Sequence, residues 1–161
     1  MKSASWVLLL IASLNSAALA QVVTADKVPV PVKQALGAKF QNVKSVEWKI
    51  SGDKNFEAEF TLKGVAITIK FDPAGKWLET ETQIPSSDVP KAVLGVLAQK
   101  FRTYKIVETQ NLQLHNDPQM IFEIHLDNGK EILKVLLHAD GAILSQSVKP
   151  KKQNPSLAFP A

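Results

Sequence analysis

Few side chains in this 161-residue chain could do chemistry. The candidates are three histidines, His115, His125 and His138, and two closely spaced acidic pairs, Glu57/Glu59 and Glu79/Glu81. Histidine titrates near neutral pH and ligates metals through a ring nitrogen, so three of them could build an acid–base or metal site. Paired carboxylates could share a proton or hold a cation. Spacing argues against both. Carboxylates at i and i+2 of a strand project from one face, and a solvent face is expected to carry charge. A metal needs ligand nitrogens at about 2.0–2.1 Å from one ion, and histidines several strand rungs apart do not converge in that way. Surface or loop positions are therefore expected for the histidines. The chain has no cysteine nucleophile, no G-x-S-x-G elbow, no phosphate-binding loop and no H-E-x-x-H pair. These residues point away from an enzyme and imply neither cofactor nor metal.

Bulk properties narrow the class further. The formal charge is +4, with basic residues interleaved among acidic ones, so no nucleic-acid footprint is visible. Residues 1–20 read as a cleaved signal peptide. Lys2 opens it, an apolar run follows, and Ala18-Leu19-Ala20 precedes Gln21. That run is shorter than the roughly 20 residues a spanning helix needs, so no stable membrane anchor is expected. The absence of cysteine removes both a lipid-attachment site and any disulfide, and the exported fold must stand on its core. With no glycosylation sequon either, the expected location is the periplasm, or the medium, of a Gram-negative bacterium.

The elements that must position any site are marked by an internal match. Val28, Pro29, Val32, Leu36, Lys39 and Phe40 recur 61 residues later as Val89, Pro90, Val93, Leu97, Lys100 and Phe101. The spacing of their apolar members describes one helix face, entered through a proline. Each predicted helix, the first over 30–41, is followed by a switch to period two. Residues 56–62 and 65–71 alternate about Lys63-Gly64. A two-residue loop there sets Leu62 opposite Val65, Phe60 opposite Ile67, Ala58 opposite Ile69 and Phe56 opposite Phe71, with Glu57 meeting Lys70 on the other face. The same treatment of Asn128-Gly129 sets Glu123 opposite Lys134, His125 opposite Ile132 and His138 opposite Gln119. Trp48 falls with Val46 and Ile50 on the core face, although a one-residue change in the following turn would reverse it. Four-residue loops at 72–75 and 138–141 lead to a last strand with Leu78 and Leu144 inward.

The organisation expected is a leader (21–27), a first unit (28–82), a linker (83–88), a second unit (89–148) and a disordered tail (149–161). Ser86, Ser87 and Asp88 in the linker offer helix-capping side chains.

Val43-Lys44-Ser45-Val46-Glu47-Trp48, Phe56-Glu57-Ala58-Glu59-Phe60 and Phe71-Asp72-Pro73-Ala74-Gly75-Lys76-Trp77, after a helix ending in Lys-Phe, resemble the PepSY-like, beta-lactamase-inhibitor-like family of exported bacterial proteins. The resemblance covers about residues 28–148. It implies an α+β fold of two α-β-β-β-β units forming an eight-stranded antiparallel sheet, with both helices on one side. The matched positions are core and turn residues, so the resemblance carries over no inhibitory or catalytic residue.

Function is then expected on the face away from the helices. There the alternation places Trp77, Ile132, Leu136 and Ile143, with Ala66, among Glu57, Lys70, Glu123, His125 and Lys134, and sets Trp77 opposite Lys70. A mixed aromatic, aliphatic and charged surface of this kind suits a protein or peptide partner, and inhibition of that partner is one form of such binding. The alternative is a carrier or sensor of a small ligand in the cell envelope.

Overall fold

The computed structural model describes residues 20–151. The expected signal peptide, except Ala20, and the tail beyond Lys151 lie outside the described residues. The elements, in order, are β1 (Gln21–Val23), a 3-10 turn (Ala25–Lys27), α1 (Val30–Lys39), β2 (Glu47–Ile50), β3 (Phe56–Leu62), β4 (Val65–Phe71) and β5 (Trp77–Gln83). A second 3-10 turn (Ser86–Asp88), α2 (Lys91–Lys100), β6 (Lys105–Leu114), β7 (Asp117–Asp127), β8 (Glu131–His138) and β9 (Ile143–Pro150) follow. The strands pair with their sequence neighbours in one antiparallel sheet, β1 to β9. The class is α+β, with nine strands rather than eight. The additional strand is β1, formed by the expected leader, which pairs Val23 with Trp48 and Gln21 with Ile50. At the other end β9 continues to Pro150, two residues past the point where periodicity was expected to stop.

Both helices cover the same face and bury equivalent residues. Val32 and Leu36 of α1 pack in a cluster with Trp48, Phe56, Phe60, Ile69 and Phe71. Val93 and Leu97 of α2 pack in a second cluster with Phe122, Ile124, Leu133, Val135 and Leu137. Trp48 is core, as its alternation implied. The helices also begin alike. Pro29 and Pro90, at φ/ψ near −56°/145° and −55°/142°, precede the first turn without a side-chain cap. Ser86, Ser87 and Asp88 therefore form a turn before α2 instead of capping it. Proline serves this position because the first-turn N–H groups have no intrahelical acceptor and its φ is already near the helical value.

The first hairpin has the anticipated register throughout. Lys63 and Gly64 both take positive φ, 51° and 83°, as a two-residue type I′ turn requires. The second hairpin differs. Here only Gly129 has positive φ, and Asn128 Oδ1 accepts from the N–H groups of Lys130 and Glu131, closing a longer loop. Asp127 then pairs with Ile132, so Glu123 lies opposite Leu136, His125 opposite Lys134 and His138 opposite Ile121. The pairing has slipped by two residues, which keeps every side chain on its face.

The turns into β5 and β9 correct the expected faces more seriously. Asp72 N–H bonds to Lys76 O, so the first turn uses one residue more than the four-residue loop and sets Trp77 opposite Phe71. A bulge at Leu78 follows and sets Glu79 opposite Lys70, where Trp77 was expected. His138 N–H bonds to Ala142 O, Ile143 pairs with Leu137, and Leu144 is bulged in the same way. Trp77 and Ile143 consequently pack against the two helix-side cores, while Leu144 is 45% exposed.

Each of these turns presses a glycine onto a helix. Gly75 and Gly141 take φ of +85° and +89°, and a Cβ on them would lie 2.6 Å from Pro31 O and 2.9 Å from Val96 Cγ2. Positive φ alone costs an L-residue about 1–2 kcal/mol. Gly64 has positive φ but no neighbour within 4 Å. Gly75→Ala should therefore lower the melting temperature at least about twice as far as Gly64→Ala, measured by circular dichroism. Equal losses would mean that the helix contact does not select the glycine.

Candidate functional site

Among the described residues no helix covers the other face of the sheet, and its strands carry a chain of ion pairs. On β2 and β3, Lys49 Nζ lies 3.0 Å from Glu47 Oε1 and 2.6 Å from Glu59 Oε2. On β3 to β5, Lys70 Nζ lies 3.3 Å from Glu57 Oε1 and 2.7 Å from Glu79 Oε1. Register produces the Lys70 set, since Lys70 stands directly opposite Glu57 on one side and Glu79 on the other, while Lys49 reaches Glu47 along its own strand and Glu59 on the diagonal. Burial works against the Lys70 charge, but hydrogen bonding and attraction from Glu79 and Glu57 outweigh it and hold its pKa above the ordinary value.

A tighter cluster sits on β6 to β8. The Glu123 carboxylate, 2% exposed, accepts from Lys134 Nζ at 2.6 Å and contacts His125 Nε2 at 2.8 Å. The other ring nitrogen, His125 Nδ1, is 2.7 Å from Glu108 Oε2. Burial would raise the Glu123 pKa, yet the bonds from His125 and Lys134 prevail and lower it. The hydrogen bond to Glu123 raises the His125 pKa against its own desolvation. Instead of lying free on a surface, this histidine is held between two carboxylates. Glu123 still meets Lys134, on the diagonal rather than straight across.

Between the two groups of ion pairs stands Glu81 on β5, flanked by Thr68 on β4 and Leu112 on β6. No cation lies within ion-pair distance of it among the described residues. Leu112 and its partner Ile121 are 4% and 2% exposed and belong to neither helix-side core. Desolvation first, and then repulsion from Glu123, push the Glu81 pKa up to about 7.

Of the ten residues expected on this face, Glu57, Ala66, Lys70, Glu123, His125, Ile132, Lys134 and Leu136 lie there. Trp77 and Ile143 do not. The Trp77 indole donates to Thr80 Oγ1 at 2.9 Å, stacks edgewise on His115 and lies 3.9 Å below Lys39 Nζ, all on the helix side. Glu81, Leu112 and Ile121 are additions to the expected set. Leu112 and Leu114 do alternate in the sequence, but nothing there says which face they take. Glu81 reads as one more solvated acid until the leucine opposite it is known. No group of three or more potential metal ligands occurs among the described residues.

The fold and this face define an open-sheet α+β protein, with helices on one side and, among the described residues, an uncovered charged surface on the other. The chain belongs to the PepSY-like family, provisionally described as beta-lactamase-inhibitor-like, whose model matches residues 54–144. Its fold is similar to that of a BLIP-like protein from Bacteroides fragilis, at 21% identity and a TM-score of 0.62, over 77% of this chain and 88% of that one. It is also similar to that of a protein from Bacteroides eggerthii provisionally described as periplasmic, at 21% identity and a TM-score of 0.69, over 79% and 93% of the two chains. At these identities the likeness is one of fold. No curated protein matches the sequence. Among the described residues, no helix is long and apolar enough to cross a membrane.

The pKa shifts set a pH dependence. Glu81 takes up its proton more readily folded, at about 7, than unfolded, at 4.5, so stability falls as pH rises across that interval. The raised pKa of His125 adds stability that is complete below 6.5 and is lost as pH climbs through its folded value. The lowered pKa of Glu123 acts oppositely, its contribution vanishing as pH drops below 4.5 toward the folded value. Thermal melts should therefore show greatest stability on the acid side of neutrality. Because Glu81 is partly exposed, Glu81→Gln should stabilise by a discounted ~1–2 kcal/mol at pH 8, with little effect near pH 4.5. An equal effect at both pH values would show that Glu81 is not the titrating group.

Proposed function

We propose that the protein is an exported, non-enzymatic binding module of the cell envelope that uses the open sheet face to hold a protein or peptide partner. The observation that carries this reading is the face that no described residue covers, where half-buried Ile132 and Leu136 stand beside the ion-paired Lys134 and His125, with ion-paired Lys70 four strands along. Aliphatic and charged groups mixed in this way are what a partner's polar and apolar side chains can both meet. Export is supported by residues 1–20 and by the periplasmic description of the Bacteroides eggerthii structure. The BLIP-like description of the Bacteroides fragilis structure makes inhibition of an envelope enzyme the role to test first.

A photo-crosslinking amino acid at position 136 should give a discrete adduct in cells, whereas the same group at position 94, on the helix side, should not. Adducts confined to position 94 would place the partner on the helices instead. Leu136→Ala, at a half-buried position, should reduce partner capture about ten-fold while moving the melting temperature by no more than about 3 °C.

A second reading, a carrier or sensor of a small apolar ligand, is favoured by two cavities at equivalent places beside the helices. One, of about 460 Å³, is lined by Leu97, Phe101 and Tyr104. The other, of about 560 Å³, is lined by Leu36, Phe40 and Trp48. A small-ligand screen followed by amide shifts at both cavities, with Trp48 fluorescence for the second, separates the readings. A saturable shift supports the carrier, and a flat response removes it.

A further inference from the structure

The helix side and the β2–β5 half of the open face carry opposite charge, while on β6 to β9 acids and bases balance. The helices α1 and α2 hold Lys33, Lys39, Lys91 and Lys100 and not one carboxylate, and Arg102 follows α2 directly. On the open face the balance is reversed. Over β2 to β5, Glu47, Glu57, Glu59, Glu79 and Glu81 share only Lys49 and Lys70, each lysine already set between two carboxylates. An acidic face on a chain whose formal charge is +4 is segregation, not a reflection of composition.

Glu81 is where this imbalance is sharpest. It is the carboxylate of this set without a lysine, it faces buried Leu112, and desolvation already raises its pKa. Gln110, diagonal to it on β6, holds its side-chain Oε1 buried with no donor. Two acceptors side by side thus lack what an ammonium or guanidinium would supply. The unbalanced glutamates run from β2 to β5, roughly 15 Å at the usual strand spacing, which is too far for a small cation and suits a length of polypeptide.

We propose that the open face receives a basic segment of a partner protein, one cationic side chain of which pairs with Glu81 while others meet the glutamates of β3 and β5. This rests on the reading of the open face as the binding surface and adds the sign of the partner. Electrostatic complementarity fixes partner choice and association rate, and its contribution weakens as salt screens it.

The test uses the full chain and three labelled twelve-residue peptides, alternating Arg-Thr, Ser-Thr and Glu-Thr, followed by fluorescence anisotropy and amide-shift mapping. The Arg-Thr peptide should bind, shift amides of β3 to β6, and weaken about five-fold or more between 50 and 200 mM salt. Glu81→Gln should weaken it about ten-fold without lowering the melting temperature, and Asp88→Asn, the same charge change at an exposed position beside α2, should not. If Asp88→Asn weakens binding equally, the attraction is only bulk charge and the proposal fails. Should the Ser-Thr peptide bind the same face as tightly, the basic partner is wrong while the open-face reading stands. Shifts confined to the helices would overturn both. Self-association abolished by Glu81→Gln would give the face to the lysine-bearing side of a second copy, against a separate partner. Binding of none of the three peptides overturns the proposal.

Discussion

A strand residue has two faces available, and an antiparallel sheet decides between them one pair at a time. In this protein the decision is made at the turns. The tight Lys63-Gly64 turn, the longer loop at Asn128 and the bulges at Leu78 and Leu144 together fix which side chains meet the helices. Moving any strand by one residue would carry Phe56, Ala58 and Phe60, or Phe122, Ile124 and Leu126, away from the helices and the glutamates toward them. The bulges close the design. The longer turns send Trp77 and Ile143 inward against the two cores, and the bulges after them keep Glu79 and Glu81 on the opposite side.

The same turns join sheet to helix. Gly75 lies against Pro31 and Gly141 against Ala92 and Val96. Each contact links the strand that carries the ion pairs to the first turn of the helix that covers its back, so the position of the charged face is tied to the packing of the core. Dense cores do not deform gradually, and such a linkage makes the face a rigid surface with fixed side-chain origins.

Charge on that surface is arranged by burial as well as by sequence. Glu123 keeps its charge at 2% exposure because Lys134 and His125 bond to it; removing either would leave a buried anion partly unpaired, a far more costly state than an exposed one. Glu81, two strands away on β5 and without such partners, is pushed in the other direction. Two glutamates on one sheet face thus differ in proton affinity because one has donors and the other has leucine. That contrast gives the face both its pH dependence and its appetite for a cation.

The sequence by itself determined the scaffold. The recurrence of Val28, Val32, Leu36 and Phe40 as Val89, Val93, Leu97 and Phe101 fixed both helices and their buried stripe, and the alternation of 56–62 and 65–71 about Lys63-Gly64 fixed a full hairpin register. These features are local: a helix face, a two-residue turn and a period of two are legible within a dozen residues. Eight of the ten expected face residues followed from the same alternation. What only the tertiary structure decided depends on contacts outside that window. The turn leaves no local mark distinguishing Trp77 inward from Trp77 outward, because its extra residue goes with a glycine resting on the distant helix. β1 exists because β2 offers it an edge, and its three residues carry no strand period. The identity of Glu81 as the unpaired acid depends on which strand, Leu112 with it, comes to lie alongside after α2. Side-chain type is written in the chain, but pairing and desolvation belong to neighbours that only folding supplies.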